Sequence, residues 1–202
     1  MGTRCSPNRS RNNLRKREST PRTARVACPS GATLRNMTPA DEMAVLAMNR
    51  LAEQVTSPLN AERFSALFAV SDLKQVAELD GEPVGFVLAI TGGQPFENHN
   101  YRWFTRWFTE RAGHFIYIDR VIVSPACQGQ GVGRTFYSAV FDVARQSGIA
   151  HVCAEMDLEP PNHGSLQFHH KLGFTEIGTR DVESGKRLSM QICEVGTQSE
   201  TA

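Results

Sequence analysis

Residues 115–134 constrain this chain more than any other stretch. Phe115–Val123 is the strongest strand-like run in the sequence. It is stopped by Pro125, and Gln128-Gly129-Gln130-Gly131-Val132-Gly133-Arg134 then leads directly into a helical pattern. Glycine has no Cβ, so three of them in such a turn let the backbone approach a ligand closely. The first turn of the following helix presents N–H groups without intrahelical partners, and the dipole favours an anion there by roughly 0.3–1 kcal/mol. A phosphate or pyrophosphate site is therefore expected over Gln128–Thr135. Two familiar phosphate loops do not fit. A Walker loop needs Lys-Ser/Thr after its last glycine, which is missing here. A dinucleotide fingerprint wants Gly-x-Gly-x-x-Gly in the first βα unit, whereas Gly129-x-Gly131-x-Gly133 lies in mid-chain, after a hairpin.

Around that segment, periodicity gives the order β-α-α-β-β-(α)-β-α-β-α-β-β. Ala32–Asn36 reads as a strand. Thr38-Pro39 opens a helix with Met43, Leu46, Ala47 and Leu51 at helical spacing, and Ser57-Pro58 ends it. Asn60 caps a second helix over Ala61–Ala69. Gln75–Leu79 and Val84–Ile90 flank Asp80-Gly81-Glu82-Pro83 as a hairpin. Tyr101–Arg111 reads as a short aromatic helix, Gly131–Ser147 and Ser165–Leu172 as helices, and His151–Met156, Thr175–Arg180 and Arg187–Cys193 as strands. This predicts an α/β domain over residues 31–196: a mixed central sheet of six to seven strands with helices on both faces.

Charge is unevenly placed. Eight of the 22 basic residues but only one of the 21 acidic ones lie in residues 1–30, leaving a formal charge of −6 on the remainder. The Arg-, Ser- and Pro-rich residues 1–30 are expected to form a disordered basic tail, and 197–202 a flexible C-terminus. Met1-Gly2-Thr3-Arg4-Cys5-Ser6 also fits an N-myristoylation signal, and the composition has features of a transit peptide or a nucleic-acid-binding arm. No apolar run approaches the roughly 20 residues that span a bilayer. The five cysteines form no CxxC pair, which points to a reducing, cytoplasmic setting and away from a disulfide framework or a metal site.

Gln128-x-x-Gly131-x-Gly133 resembles the acetyl-CoA loop of the GNAT acetyltransferases. Asn162, Ser165 and Phe168-His169-His170-Lys171-Leu172-Gly173-Phe174 resemble that family's second motif, Asn-x-x-Ala/Ser-x-x-Phe/Leu-Tyr-x-Lys-x-Gly-Phe. The likeness extends from about Thr33 to Glu194, and Asn-Tyr-x-Trp-Phe with Pro-Pro-Asn is similar to a bacterial GNAT subgroup. The resemblance implies a GNAT fold and acetyl transfer from acetyl-CoA, as co-substrate, to an amine acceptor in a ternary complex. It implies that the main chain of Val121, Ile122 and Val123 holds the pantetheine arm and acetyl carbonyl. Gln128, Gly129, Gln130, Gly131, Val132, Gly133, Arg134 and Thr135 would hold the pyrophosphate, and Asn162 and Ser165 the pantetheine. The acceptor is a small molecule or a protein amine, a homodimer stays open, and neither membrane nor nucleic acid is expected as a partner.

The chemistry needs a base for the amine and a proton for the departing thiolate. Asp119 and Glu155 are acids inside apolar strands, so each is a candidate base. The competing reading is a salt bridge, for instance to Arg120 or Arg134. Asp119 shares alternation parity with Tyr117, Val121 and Val123. His169 stands where many family members carry the tyrosine donor, and Tyr137 is a substitute. Residues 98–104 are candidates for an acceptor lid. A second function class is a catalytically inactive acyl-CoA-binding module with a regulatory or partner-binding role. A third is a nucleic-acid-associated protein using the basic tail.

Overall fold

A computed structural model describes Met1, the backbone of Val26–Ala27, and residues 31–196. The tail expected over residues 1–30 otherwise lies outside the described residues, as do 197–202. The elements are β1 (Val26–Ala27), β2 (Thr33–Asn36), α1 (Glu42–Leu51), α2 (Ala61–Val70), β3 (Leu73–Leu79), β4 (Glu82–Thr91) and α3 (His99–Thr109). They continue with β5 (Phe115–Val123), α4 (Val132–Gln146), β6 (His151–Glu159), α5 (His163–Lys171), β7 (Thr175–Asp181) and β8 (Arg187–Glu194). All strands join one mixed sheet in the order β1-β2-β3-β4-β5-β6-β8-β7. That is one strand beyond the expectation, because β1 adds a two-residue edge inside the basic segment.

The sheet is antiparallel except where β5 meets β6, and that parallel ladder is short. It runs Phe115↔His151, Ile116↔Val152 and Tyr117↔Cys153. Beyond it, β5 stays paired with β4 as far as Val123↔Gly85, and β6 with β8 as far as Glu159↔Arg187. Each strand is held on its outer side only, so their C-terminal halves part and leave a gap in the sheet.

Two apolar layers sandwich the sheet. On one face α4 and α5 bring Val132, Phe136, Tyr137, Val140, Ala144 and Phe168 against Ile116, Ile118 and Ala154. On the other, α1, α2 and α3 bring Val45, Met48, Phe64, Leu67, Phe104 and Phe108 against Phe86, Leu88, Phe115 and Tyr117. The buried face of α1 differs from the expected stripe. Val45, Met48 and Asn49 are inside, whereas Met43 and Leu51 are 84% and 77% exposed. No helix among the described residues is long and apolar enough to cross a membrane.

The hairpin at Asp80-Gly81 forms as expected, with both residues at positive φ (52° and 85°) in the two-residue turn between Leu79 and Glu82. Gly85 answers a different need. A Cβ there would lie 2.8 Å from the Ile122 carbonyl oxygen and 3.1 Å from the Phe136 ring, where β4, β5 and α4 meet. Gly85→Ala is expected to cost about 1–3 kcal/mol, read as a lower denaturant midpoint at unchanged slope. An unchanged midpoint would mean that β4 and β5 can shift apart there without cost.

Candidate active site

The glycine turn lies at the open end of the gap. Gly129 and Gly131 sit at positive φ (74° and 88°), a region that a side chain disfavours. Gly131 is the N-cap of α4 and supplies no side-chain cap, so the first-turn N–H groups of Val132, Gly133 and Arg134 have no partner within the helix. Thr135 N–H makes the first helical bond, to Gly131 O at 3.0 Å, and its hydroxyl donates to the same oxygen at 3.2 Å. Gln128 Nε2 donates to Val123 O (3.1 Å) and Gln130 Nε2 to Ala126 O (2.8 Å), which fixes the turn from within. Gly133 packs close to α5, where a Cβ would be 3.4 Å from Phe168. The arrangement suits an anion at the turn with an extended arm running back into the gap beside Val121, Ile122 and Val123. That fits the pyrophosphate and pantetheine of a CoA thioester. Across the gap, Asn162 caps α5 by accepting from Ser165 N at 3.1 Å, so its Nδ2 is the part left for a ligand.

The acids lie on the face covered by α3. The ladder between β4 and β5 slips between Leu88↔Arg120 and Ala89↔Ile118, so Asp119 is a bulged residue without a partner on β4. The bulge changes the alternation. Tyr117 falls in the α1–α3 layer and Val121 and Val123 pack against the α4–α5 layer, so the single parity expected for 117–123 is corrected. Asp119 Oδ2 accepts from Arg120 Nε at 2.9 Å and Oδ1 from Asn98 Nδ2 at 3.2 Å, its side chain only 1% exposed. Of the two arginines weighed as partners, it is Arg120 that pairs with it, while Arg134 is exposed on the first turn of α4.

Glu155 points into the same layer. Its Oε1 accepts from Asn100 Nδ2 at 2.8 Å and from the Tyr117 hydroxyl at 3.0 Å. Its Oε2 is buried with no hydrogen-bond partner. Burial raises the carboxyl to about 7, the nearby Asp119 charge adds to the rise, and the Asn100 and Tyr117 hydrogen bonds oppose it. The same surroundings push the Tyr117 hydroxyl well above its ordinary value, burial first.

His169 is 7% exposed and is enclosed by Tyr137, Phe168 and Phe174. Its Nδ1 lies 2.7 Å from Ser165 O and 3.3 Å from Ser165 Oγ. A carbonyl only accepts, so Nδ1 carries the proton and Nε2 accepts from the Tyr137 hydroxyl. Burial lowers the imidazole to about 4, which keeps it neutral at physiological pH. Both nitrogens are engaged, so the ring braces Tyr137 and has no free N–H for a leaving group.

Two participants escaped the sequence reading: Tyr117, which entered only through its strand parity, and Arg180 on β7, which donates to Asn100 Oδ1 at 2.6 Å across 80 positions. Asn100, within the segment 98–104 expected as a lid, reaches Glu155 from a helix 55 positions earlier. No local pattern announces such contacts. Among the described residues no group of three His, Cys, Asp or Glu side chains is placed to hold a metal ion.

The acetyltransferase (GNAT) family model matches residues 44–174. An L-methionine sulfoximine/L-methionine sulfone acetyltransferase of Salmonella typhimurium is 37% identical over 75 residues, covering 37% of this chain and 43% of that enzyme. The matched part therefore spans less than half the length of that relative. The ribosomal-protein-S18-alanine N-acetyltransferase from Escherichia coli superposes with a TM-score of 0.62 at 15% identity, over 85% of this chain and 98% of that one. A putative acetyltransferase from Salmonella typhimurium, solved with its cofactor acetyl-CoA, gives 0.60 at 22% identity over 85% and 98%. At such identities the likeness of structures is one of fold. The family match runs from α1 through the glycine turn and α5, the same elements that frame the gap, and the chain belongs to the acetyltransferase (GNAT) family.

Proposed function

We propose that this chain transfers the acetyl group of acetyl-CoA to a small amine in a ternary complex, with Glu155 as the base. The observation that carries the reading is the gap between β5 and β6, with an uncapped helix N-terminus at one end and an unpartnered buried carboxylate oxygen beside it. Acetyl-CoA supplies a thioester whose carbonyl carbon is open to an amine. The first-turn N–H groups of α4 hold its pyrophosphate, and main-chain N–H groups of β5 in the gap stabilise charge on the acetyl oxygen. Glu155 Oε2 takes the proton of the acceptor ammonium, and a carboxyl near 7 is poised for that at neutral pH. The nitrogen then bonds to the carbonyl carbon as the C–S bond breaks. The proton that the nitrogen sheds balances the one the sulfur takes up, so His169 need not supply it. The Tyr137–His169 pair is read as a neutral brace between α4 and α5.

A small acceptor is favoured over a protein amine because the start of α3 covers both acids, Asn100 donating to Glu155 and the N-cap Asn98 to Asp119. The Salmonella relative, named for acetylating two methionine derivatives, accords with this. A cytoplasmic setting belongs to the same reading and is supported by three buried free thiols, Cys127, Cys153 and Cys193.

Incubating the protein with acetyl-CoA and a panel of amino acids and small amines, with products read by mass, should reveal N-acetylated species. Glu155→Gln should lower kcat by about 10²–10⁴-fold at unchanged acetyl-CoA affinity. Wild-type turnover in that variant would remove Glu155 from the chemistry.

Stability gives a second check. Between about 4.5 and about 7 the folded protein keeps a proton on Glu155 that the unfolded chain has released. Stability from this group is thus fully present below pH 4.5 and is lost as pH rises through 7. The stability of Glu155→Gln relative to wild type should accordingly rise across that window, by on the order of 3 kcal/mol. A pH-independent difference in chemical denaturation would contradict the assigned burial.

A further inference from the structure

Strand β5 carries a buried ion pair that the proposed reaction does not consume. The Asp119 and Arg120 side chains are 1% and 3% exposed. Both Asp119 oxygens already have donors, whereas Glu155 Oε2 has none. The Arg120 guanidinium also reaches away from the pair. Its NH1 donates to Asn49 Oδ1 at 2.5 Å and to Ser57 O at 3.2 Å, and its NH2 donates to Ser57 Oγ at 2.9 Å. Asn49 Nδ2 donates to Ser57 O as well, at 3.2 Å. One buried cation therefore ties the bulge of β5 to α1 and to the connection between α1 and α2.

That connection is tied on its other side too. Lys186, in the turn between β7 and β8, donates to Gln54 O at 3.5 Å and to Asp157 Oδ2 on β6 at 2.7 Å. Residues 52–60 are thus linked to both diverging strands, through Arg120 to β5 and through Lys186 to β6. They border the gap on the α1–α3 face, the side of the sheet on which Glu155 lies. A buried ion pair adds little net stability over apolar packing of similar volume. What this one supplies is geometry.

We propose that Asp119 and Arg120 are a fixed positioning pair: Arg120 anchors the α1–α2 connection over the acceptor entrance, and Asp119, held by Arg120 and Asn98, sits beside Glu155 without being a reacting group. The inference rests on Glu155 as the base. The groups facing Glu155 are Tyr117 and Asp119 from β5, Asn100 from α3 with Arg180 of β7 behind it, and Cys153 on its own strand, while Tyr137 of α4, in the other layer, feels its charge without a contact. Met190 is its neighbour on β8. Of these, Asp119 is the one that raises the Glu155 carboxyl by charge. Neutralising Asp119 therefore makes Glu155 easier to ionise, and the low-pH limb of kcat/KM moves to lower pH.

Kinetics across pH on Asp119→Asn, Arg120→Lys and Ser57→Ala test this, with acetyl-CoA calorimetry reporting that each variant keeps the cofactor site. Asp119→Asn should keep kcat within about tenfold and shift the limb down by about one pH unit. Arg120→Lys and Ser57→Ala should raise acceptor KM by about five- to tenfold, with the limb and acetyl-CoA affinity unmoved. A loss of about 10²-fold or more in kcat at every pH for Asp119→Asn, with acetyl-CoA still bound, would make Asp119 a reacting group and overturn the inference. An unmoved limb, or an unchanged acceptor KM in both anchor variants, would overturn it as well. If Asp119→Asn fails to fold, the anchor variants decide alone. Failure of the underlying reading looks different: Glu155→Gln would keep its activity.

Discussion

The parting of β5 from β6 is the constraint on which the rest of the molecule depends. A sheet normally satisfies every inner main-chain group by pairing, and here the pairing stops at Tyr117↔Cys153. The strands are not loose beyond that point, because β4 holds one and β8 the other. The bulge at Asp119 begins where the ladder ends, and a bulge bends its strand and sharpens its twist. The gap is thus a rigid feature with main-chain donors already oriented. Gly85 belongs to the same construction, since only a residue without Cβ lets β4 follow β5 past Ile122 beneath Phe136.

The gap separates two kinds of chemistry. At its outer end are main-chain N–H groups and a helix dipole, which suit a doubly charged ligand and need no acid or base. On the α1–α3 face lies a buried polar cluster in which Glu155, Asp119, Tyr117, Asn98, Asn100 and Arg120 satisfy one another except at Glu155 Oε2. Leaving one buried carboxylate oxygen unpaired costs stability, and the cost appears as a raised carboxyl. Such an arrangement suits a group that must accept a proton at neutral pH. His169 shows the opposite tuning, a depressed imidazole with both nitrogens bonded, and serves packing between α4 and α5.

Much of this was legible in the sequence, for physical reasons. β5 matches its expected bounds because a nine-residue run with seven apolar residues, closed by Ser124-Pro125, has few other options, and the glycine turn announces itself by composition. The misreadings share a cause. On α1 the stripe 43, 46, 47, 51 and the face 45, 48, 49 are both helical. Choosing the second means burying Asn49, which makes sense only beside Arg120 from 71 positions away. The bulge escaped notice because alternation assumes an unbroken ladder. Arg180 escaped because its partner, Asn100, lies on a helix 80 positions away. Periodicity reports which face is apolar, while a polar cluster is assembled by the fold.

The most direct test of the central claim is calorimetric titration of CoA and acetyl-CoA into the wild type and Gly133→Asp. An acid in the first turn of α4 favours the helix dipole, and a Cβ at position 133 meets only Phe168 at 3.4 Å, so the variant should fold. The account predicts micromolar binding to the wild type and a loss of about 100-fold or more in the variant, because the new carboxylate brings a negative charge into the first turn that holds the pyrophosphate. Equal affinity in both proteins, or no binding to a well-folded wild type, would contradict it.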